Sequence, residues 1–455
     1  MTKVPKSPAG LPPDRVHDTI GAHMLADGFD IVFDLEKSRG SYLHDARTGK
    51  DLLDFFTCFA SSPIGYNHPG LTDPRFLSRL SRVSVNKPAN SDLYTVEMAE
   101  FVDAFARLAA PDELSKHLFF IEGGALAVEN ALKTAFDWKV RKNIAAGVNR
   151  PDTPERDLKG TKVIHFEQAF HGRSGYTLSL TNTADPNKTK YFPKFDWPRV
   201  LNPKAVFPLT GKNLEGVQAK EAEALAQIRS IVDEDPHDIA AIIIEPIQGE
   251  GGDNHFRGEF LRELRRIADE KDIMLVFDEI QCGMGLTGTM WCFQQLGVTP
   301  DIVAFGKKTQ VCGIMVSDRV MEASDNVFVV ASRINSTWGG NLVDMVRCQR
   351  YLEIMHEERL VENAAAVGRR LLAGLESAAT ASGDKITNVR GRGLMCAFDL
   401  PTTERRNEVL RRLKENGTMA IPSGPIAVRL RPPLTLSADE AGRGVESLEK
   451  TLKQM

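Results

Sequence analysis

The residues best suited to chemistry are an acid and an amine that close two apolar runs. Ile273 to Phe277 is entirely apolar and stops at Asp278-Glu279, and Ile302 to Phe305 stops at Gly306-Lys307-Lys308. Such runs fit strands buried on both faces of a parallel sheet. The acid and the lysine would then emerge at its carboxyl edge, where open α/β sheets bind ligands. A lysine can hold a carbonyl cofactor as an imine, and a carboxylate can keep a pyridine nitrogen protonated so that the ring accepts electrons. That chemistry needs no metal. Taken singly, each dipeptide reads more readily as surface: solvated strand-end acids, or an exposed pair of lysines.

Other strand ends carry loops that bear on the pair. His117 to Ile121 leads through Glu122-Gly123-Gly124 into a helical pattern starting at Ala125, a layout that can cradle phosphate on helix N–H groups. Glycines at such a position are more often only a turn, and Glu122 would repel phosphate unless it points away. Lys162 to Phe166 is followed by a loop crowding Phe170, His171, Gly172 and Arg173. There an aromatic face could stack on a planar ring and arginine could grip a carboxylate, against the plainer readings of core and surface charge. Ile239 to Ile244 ends in the acidic, glycine-bearing stretch Glu245 to Asp253, and Asn335-Ser336-Thr337-Trp338-Gly339-Gly340-Asn341 offers hydroxyls and amides to another anion. Ile426 to Arg431 places Arg429 and Arg431 on one face of a strand that Pro432 ends.

These loops need a scaffold of alternating strands and helices. An amphipathic helix from about Phe256 to Lys271, with Phe260, Leu261, Leu264 and Ile267 at helical spacing, joins two of the strands. The repeated pattern predicts an α/β fold with a doubly wound, mostly parallel sheet, plus a smaller α+β domain. The expected division is an N-terminal arm and small-domain segment over 1–75, a large domain over 76–345 and a C-terminal small domain over 346–455. Prolines oppose regular structure over roughly the first 20 residues, and turn signals between Ile31 and Asp54 predict a small antiparallel meander.

Composition excludes several classes. The 455 residues are 42% hydrophobic and 26% charged with a net charge of −4, which gives no electrostatic reason to expect nucleic acid or an anionic membrane as partner. Six scattered cysteines without C-x-x-C pairing read as free thiols in a reducing compartment. The polar, proline-rich N-terminus has no apolar core for a signal peptide, so a cytoplasmic location is expected. No apolar run approaches the length of a membrane span.

With these segments assembled, the chain resembles the class III pyridoxal-phosphate-dependent aminotransferases, or ω-aminotransferases, over nearly its whole length. The blocks EGGALAVENALK, FHGRSGYTLSLTNT, KFDWPR, EPIQGEGGD, FGKKTQVCG, NSTWGGN and GRGLMCAFDLP are most similar to the L-lysine 6-aminotransferases within that family. The resemblance implies the type I fold of aspartate aminotransferase, pyridoxal 5'-phosphate as cofactor and a homodimer with its sites at the subunit interface. It further implies that Lys307 forms the imine, Asp278 pairs with the pyridine nitrogen and Gln281 meets the ring hydroxyl. Phe170 and Ile280 would flank the ring, Gly124 and Ala125 would hold the phosphate, and Thr337 would reach it from the other subunit with Asn335 and Ser336 close by. Arg173 would take the carboxylate remote from the reacting amine, and Arg429 the α-carboxylate of 2-oxoglutarate or L-glutamate. Glu250 would mask Arg429 while L-lysine is bound. One departure stands out: Gly283 to Gly288 lacks the arginine of the G-x-G-R-T-G segment common in the wider family, which favours the lysine reading over ornithine, 4-aminobutyrate or diamine donors. A catalytically silent relative is disfavoured because both Lys307 and Asp278 are present.

Overall fold

In the computed structural model, which describes residues 10–455, a seven-stranded sheet forms the centre of the molecule. Its spatial order is His117–Ile121, Cys312–Val316, Ile302–Phe305, Met274–Asp278, Ile239–Ile244, Lys162–Phe166 and Arg199–Val200. Cys312–Val316 pairs antiparallel with both neighbours, and the remaining ladders are parallel. The expected doubly wound, mostly parallel sheet is present. The sequence reading assigned no strand to Cys312–Val316.

The strands are apolar on both faces because helices cover both faces. Leu275 and Phe277 point into a core with Phe260, Leu261, Leu264 and Ile267 of the helix Gly258–Glu270, as the amphipathic spacing predicts. Met274 and Val276 point the other way, against Val128, Leu132 and Trp138 of the helix Gly124–Ala145. This division by alternate residues is what burial on two sides requires of a pleated strand. The six co-directional strands deliver their carboxyl ends, and the loops that follow, to one edge.

A four-stranded antiparallel sheet (Thr387–Arg392, Met395–Asp399, Ala427–Leu430, Ile421–Ser423) with helices Leu360–Ala381, Thr403–Glu415 and Ala438–Lys453 forms the C-terminal α+β part. The expected meander is the antiparallel pair Tyr42–Asp45 and Lys50–Asp54, and Thr418–Met419 joins it in parallel, so the two ends of the chain share a sheet. The proline-rich arm is more regular than expected. Pro13–Arg15 forms a 3-10 turn and Val16–Gly21 a short helix, with Pro13 at the first turn, where its missing N–H goes unneeded. Residues 1–9 of the arm lie outside the described residues. No helix among them is long and apolar enough to cross a membrane.

Buried arginines tie the C-terminal part to the edge of the central sheet. Arg431 Nη2 meets Asp253 Oδ1 at 2.6 Å with neither side chain exposed, while Arg390 donates from Nε to the Asp253 carbonyl at 2.8 Å and from Nη2 to the Gly252 carbonyl. Removing one partner of a buried ion pair leaves an uncompensated charge. Asp253→Asn should therefore lower stability by about 3 kcal/mol or more, read as a shift of the urea unfolding midpoint against the parent protein.

Candidate active site

The acid and the lysine do come together. The strands Met274–Asp278 and Ile302–Phe305 are adjacent and parallel, with Asp278 opposite Ala304, so both chain ends turn out at the same point of the edge. Lys307 sits at φ +54°, in the left-handed region, which costs a non-glycine residue roughly 1–2 kcal/mol. Gln310 holds it there: its backbone N–H and its Nε2 both donate to the Lys307 carbonyl, at 2.9 and 3.2 Å, and Nε2 also reaches the Ser61 carbonyl at 2.7 Å. Burial, and then the Arg429 guanidinium nearby, draw the Lys307 ammonium down to about 8, while Asp278 pulls weakly the other way. A substantial part of the amine is thus neutral near physiological pH, the form that attacks a carbonyl or accepts a proton.

The neighbours in sequence take other parts. Asp278 is buried, accepts from His171 Nδ1 at 2.9 Å and from the Ile280 N–H at 3.1 Å, and is no solvated acid. Glu279 turns away to accept the N–H groups of Cys292 and Phe293, each at 2.8 Å, and the Cys282 thiol at 3.4 Å; burial pushes its carboxyl up to about 7. Lys308 is not on the surface but fully buried. Its Nζ donates to the Gln281 carbonyl at 2.7 Å, and burial draws it down to about 7. It secures the segment that carries Ile280 and Gln281.

The glycine turn leaves its helix start open. No side chain caps the first turn of Gly124–Ala145, so the amides of Gly124 and Ala125 remain available to an anion. Glu122 does point away, paired with Lys87 Nζ at 2.9 Å. Close approaches show how the loops converge: a Cβ on Gly124 would meet Ile280 Cδ1 at 3.1 Å, one on Gly172 would meet Ala125 Cβ at 2.6 Å, and one on Gly249 would meet Gln281 Cγ at 2.7 Å. Phe170 is fixed by its N–H, which donates to Glu245 Oε1 at 2.9 Å. Pyridoxal phosphate fits these residues: Gln281 Oε1 is a buried acceptor with no partner, suited to a ring hydroxyl, and Asp278 is a buried carboxylate held by His171, suited to a protonated ring nitrogen.

The two arginines differ. Arg173 is exposed at the rim. Arg429 is buried, its Nε and Nη1 have no hydrogen-bond partner, and Phe59 lies 5.8 Å from its guanidinium carbon to the ring centroid. Burial, then Arg431, draw it down to about 10, so it stays charged at neutral pH. Glu250 is not on Arg429 in this structure. Its Oε1 accepts from Lys188 Nζ at 2.5 Å and from Thr183 Oγ1 at 2.8 Å, and its Oε2 is buried without a partner.

Asn335, Ser336 and Thr337 do not join this cluster within the chain. They lie on a segment bonded to residues 90 and 91, with Asn90 N–H to the Trp338 carbonyl at 3.2 Å and Ser91 Oγ to the Thr337 carbonyl at 3.2 Å, and Asn335 and Thr337 are exposed. The sequence reading gave no role to His171, which orients Asp278, to Glu245, which anchors the Phe170 and Gly249 backbones and whose carboxyl burial pushes upward, or to Gln310, which holds Lys307, and it passed over Lys188 and Thr183. His171, directly after the stacking aromatic, carried the one available signal, a titratable side chain inside the glycine loop.

The Aminotransferase class-III family matches residues 25–452. The chain is 54% identical over 447 residues to an L-lysine-epsilon aminotransferase of Mycobacterium tuberculosis, covering 98% of this chain and 97% of the relative. It is 48% identical over 442 residues to that of Streptomyces clavuligerus, covering 96% and 94%. Among solved structures, the lysine aminotransferase from M. tuberculosis in the internal aldimine form superposes with a TM-score of 0.93 at 53% identity, covering 98% of this chain and all of the other. An ω-transaminase from Pseudomonas jessenii, at 22% identity and a TM-score of 0.81 with 96% and 98% covered, shares the fold.

The lowered Lys307 pKa has a definite sign. A lysine is reactive when neutral, so a value near 8 in place of 10.5 brings the reactive form in at lower pH. The rate at which cofactor-free protein takes up pyridoxal phosphate, followed by absorbance, should rise through about pH 8 and level off above it, and Lys307→Ala should form no covalent adduct at any pH.

Proposed function

The chain belongs to the class III aminotransferases and has the type I fold of pyridoxal-phosphate enzymes, and from that premise we propose that it transfers the ε-amino group of L-lysine to 2-oxoglutarate. The products are 2-aminoadipate 6-semialdehyde, which cyclises to piperideine-6-carboxylate, and L-glutamate. What carries the lysine assignment is 54% identity over almost the full length to a relative named for that reaction.

Bound at this edge, pyridoxal phosphate supplies a carbonyl that takes the amine and a ring that draws electrons from the adjoining carbon. Gly124 and Ala125 would hold its phosphate through backbone N–H groups, with Thr337 and Ser336 of a second copy completing the hold. Asp278, oriented by His171, would meet the ring nitrogen; Gln281 would accept from the ring hydroxyl; Phe170 and Ile280 would close on the two faces. Lys307, once displaced by the substrate amine, would serve through its neutral Nζ as the base that moves a proton between the substrate carbon and the adjoining cofactor carbon. Arg173 would bind the α-carboxylate of lysine, which is remote from the reacting end, and the γ-carboxylate of glutamate, with Asn335 of a second copy assisting.

The difficulty is at the other end of the pocket. Glutamate presents a carboxylate beside its reacting carbon, whereas lysine presents a bare methylene. An open Arg429 suits the first and would invite lysine to bind by its α-carboxylate, with the wrong amine at the cofactor. A Glu250 that covers Arg429 for lysine and withdraws for 2-oxoglutarate removes the conflict. One charge-assisted hydrogen bond, about 1.5–3 kcal/mol, suffices to shift the preference by roughly tenfold to a hundredfold.

The assembly that fits this reading is a cytosolic homodimer. Supporting it, Thr337 lies away from its own Lys307 cluster, and Leu93, Tyr94, Val96 and Trp338 form exposed apolar surface beside it. The segments 1–75 and 346–455 then make a small domain carrying Arg429, set against a large domain, 76–345, carrying Lys307. A panel of amine donors with 2-oxoglutarate as acceptor tests the substrate: lysine should exceed ornithine, 4-aminobutyrate and diamines. Glu250→Ala should raise reaction at α-amines relative to ε-amines by about tenfold, measured as the ratio of the two products, and an unchanged ratio would count against the exchange.

A further inference from the structure

The exchange proposed for Glu250 requires somewhere for its carboxylate to go when Arg429 is needed by substrate. An acid that merely swung into water would leave its withdrawn state undefined. Here the acid has a built second position.

The Glu250 backbone cannot supply the movement. The Gly424 N–H donates to its carbonyl at 2.8 Å and Ser423 Oγ at 3.3 Å, while Ser423 Oγ also bonds the Gly249 carbonyl at 2.6 Å. The following Gly252 and Asp253 carbonyls are held by Arg390. Any travel is therefore rotation of the side chain between partners within its reach.

One partner set is occupied. Thr183 Oγ1 accepts the Asp185 N–H at 3.2 Å, which leaves its own proton for Glu250 Oε1 at 2.8 Å. Lys188 closes the short turn Pro186–Lys188, whose start is capped by Asp185 Oδ1 accepting the Asn187 N–H at 3.0 Å, and it brings Nζ to within 2.5 Å of the same carboxylate oxygen. The Lys188 ammonium also lies 5.9 Å from the Phe170 ring centroid, so this set belongs to the wall of the same pocket. The other partner set, Nε and Nη1 of Arg429, is buried and unbonded in the same structure.

We propose that Lys188, assisted by Thr183, is the station that receives Glu250 when Arg429 is released to an α-carboxylate, and so is a specificity-determining residue for the second half-reaction. This rests on the exchange of lysine and 2-oxoglutarate in one pocket argued above. The station suits a switch because it is weak: the Lys188 and Glu250 side chains are 30% and 21% exposed, and a solvated pair of this kind is worth roughly fivefold in an equilibrium, enough to bias the acid without trapping it.

The test uses the cofactor-loaded protein. Lys188→Met should raise the KM for 2-oxoglutarate about fivefold, because Glu250 then rests on Arg429, with a smaller change in kcat and in the KM for L-lysine. Thr183→Val should act in the same direction to a lesser extent, and Lys188→Arg should recover most of the loss. In a Glu250→Gln background Lys188→Met should add nothing. A full rise in that background would mean that Lys188 binds the diacid directly and would overturn the station. So would an unchanged KM in Lys188→Met and Thr183→Val alongside a Glu250→Ala variant whose product ratio does shift, an outcome that leaves the exchange standing. If Glu250→Ala leaves the ratio unchanged, the exchange falls and the station with it.

Discussion

A charge taken out of water must be met by an opposite charge or by hydrogen bonds, and the carboxyl edge of the central sheet buries Asp278, Glu279, Glu245, Lys308, Arg429 and Arg431 within one region. Most of the local architecture answers that demand. His171 and the Ile280 N–H take Asp278, two backbone N–H groups take Glu279, the Gln281 carbonyl takes Lys308 and Asp253 takes Arg431. What remains unmet is informative. Gln281 Oε1 and two donors of Arg429 are buried without a partner, as are His171 Nε2, Asp253 Oδ2 and Arg431 Nε, and of these Gln281 and Arg429 are the residues expected to meet cofactor and substrate.

The same demand makes the loops stiff. The stretch from Gly249 to Asp253 is bonded through its carbonyls to Ser423, Gly424 and Arg390, elements of the C-terminal part, and the lysine turn is held in left-handed geometry by Gln310. A pocket with fixed walls can serve two substrates of different charge only if a single side chain changes partner. Glu250, at the pocket wall beside Phe170, combines a clamped backbone with one satisfied and one unsatisfied carboxylate oxygen. Strain at Lys307 is one consequence of that frame, and it confines the exchange proposed for Glu250 to its side chain.

Much of the frame was legible in the chain. Apolar runs that stop abruptly at polar residues gave the strands Ile239–Ile244, Met274–Asp278 and Ile302–Phe305 nearly to the residue, because burial on two faces leaves no room for alternation. The antiparallel strand Cys312–Val316 was less so: it follows the lysine within a few residues, and nothing local says that such a run turns back into the same sheet. Nor could composition separate members of a pair. Asp278 and Glu279, or Lys307 and Lys308, are chemically near twins, and one of each is structural.

Hydrophobic periodicity, and the points where it is interrupted, were enough to set the class of fold, the sheet edge at which the candidate site lies and the residue types gathered there. Only the folded chain shows that Lys308 is spent on the Gln281 carbonyl, which acid meets His171, that Glu122 turns to Lys87, and that Glu250 rests on Lys188. Those outcomes depend on partners far apart in the chain, and the strength of a charge's interactions is set by what surrounds it after folding.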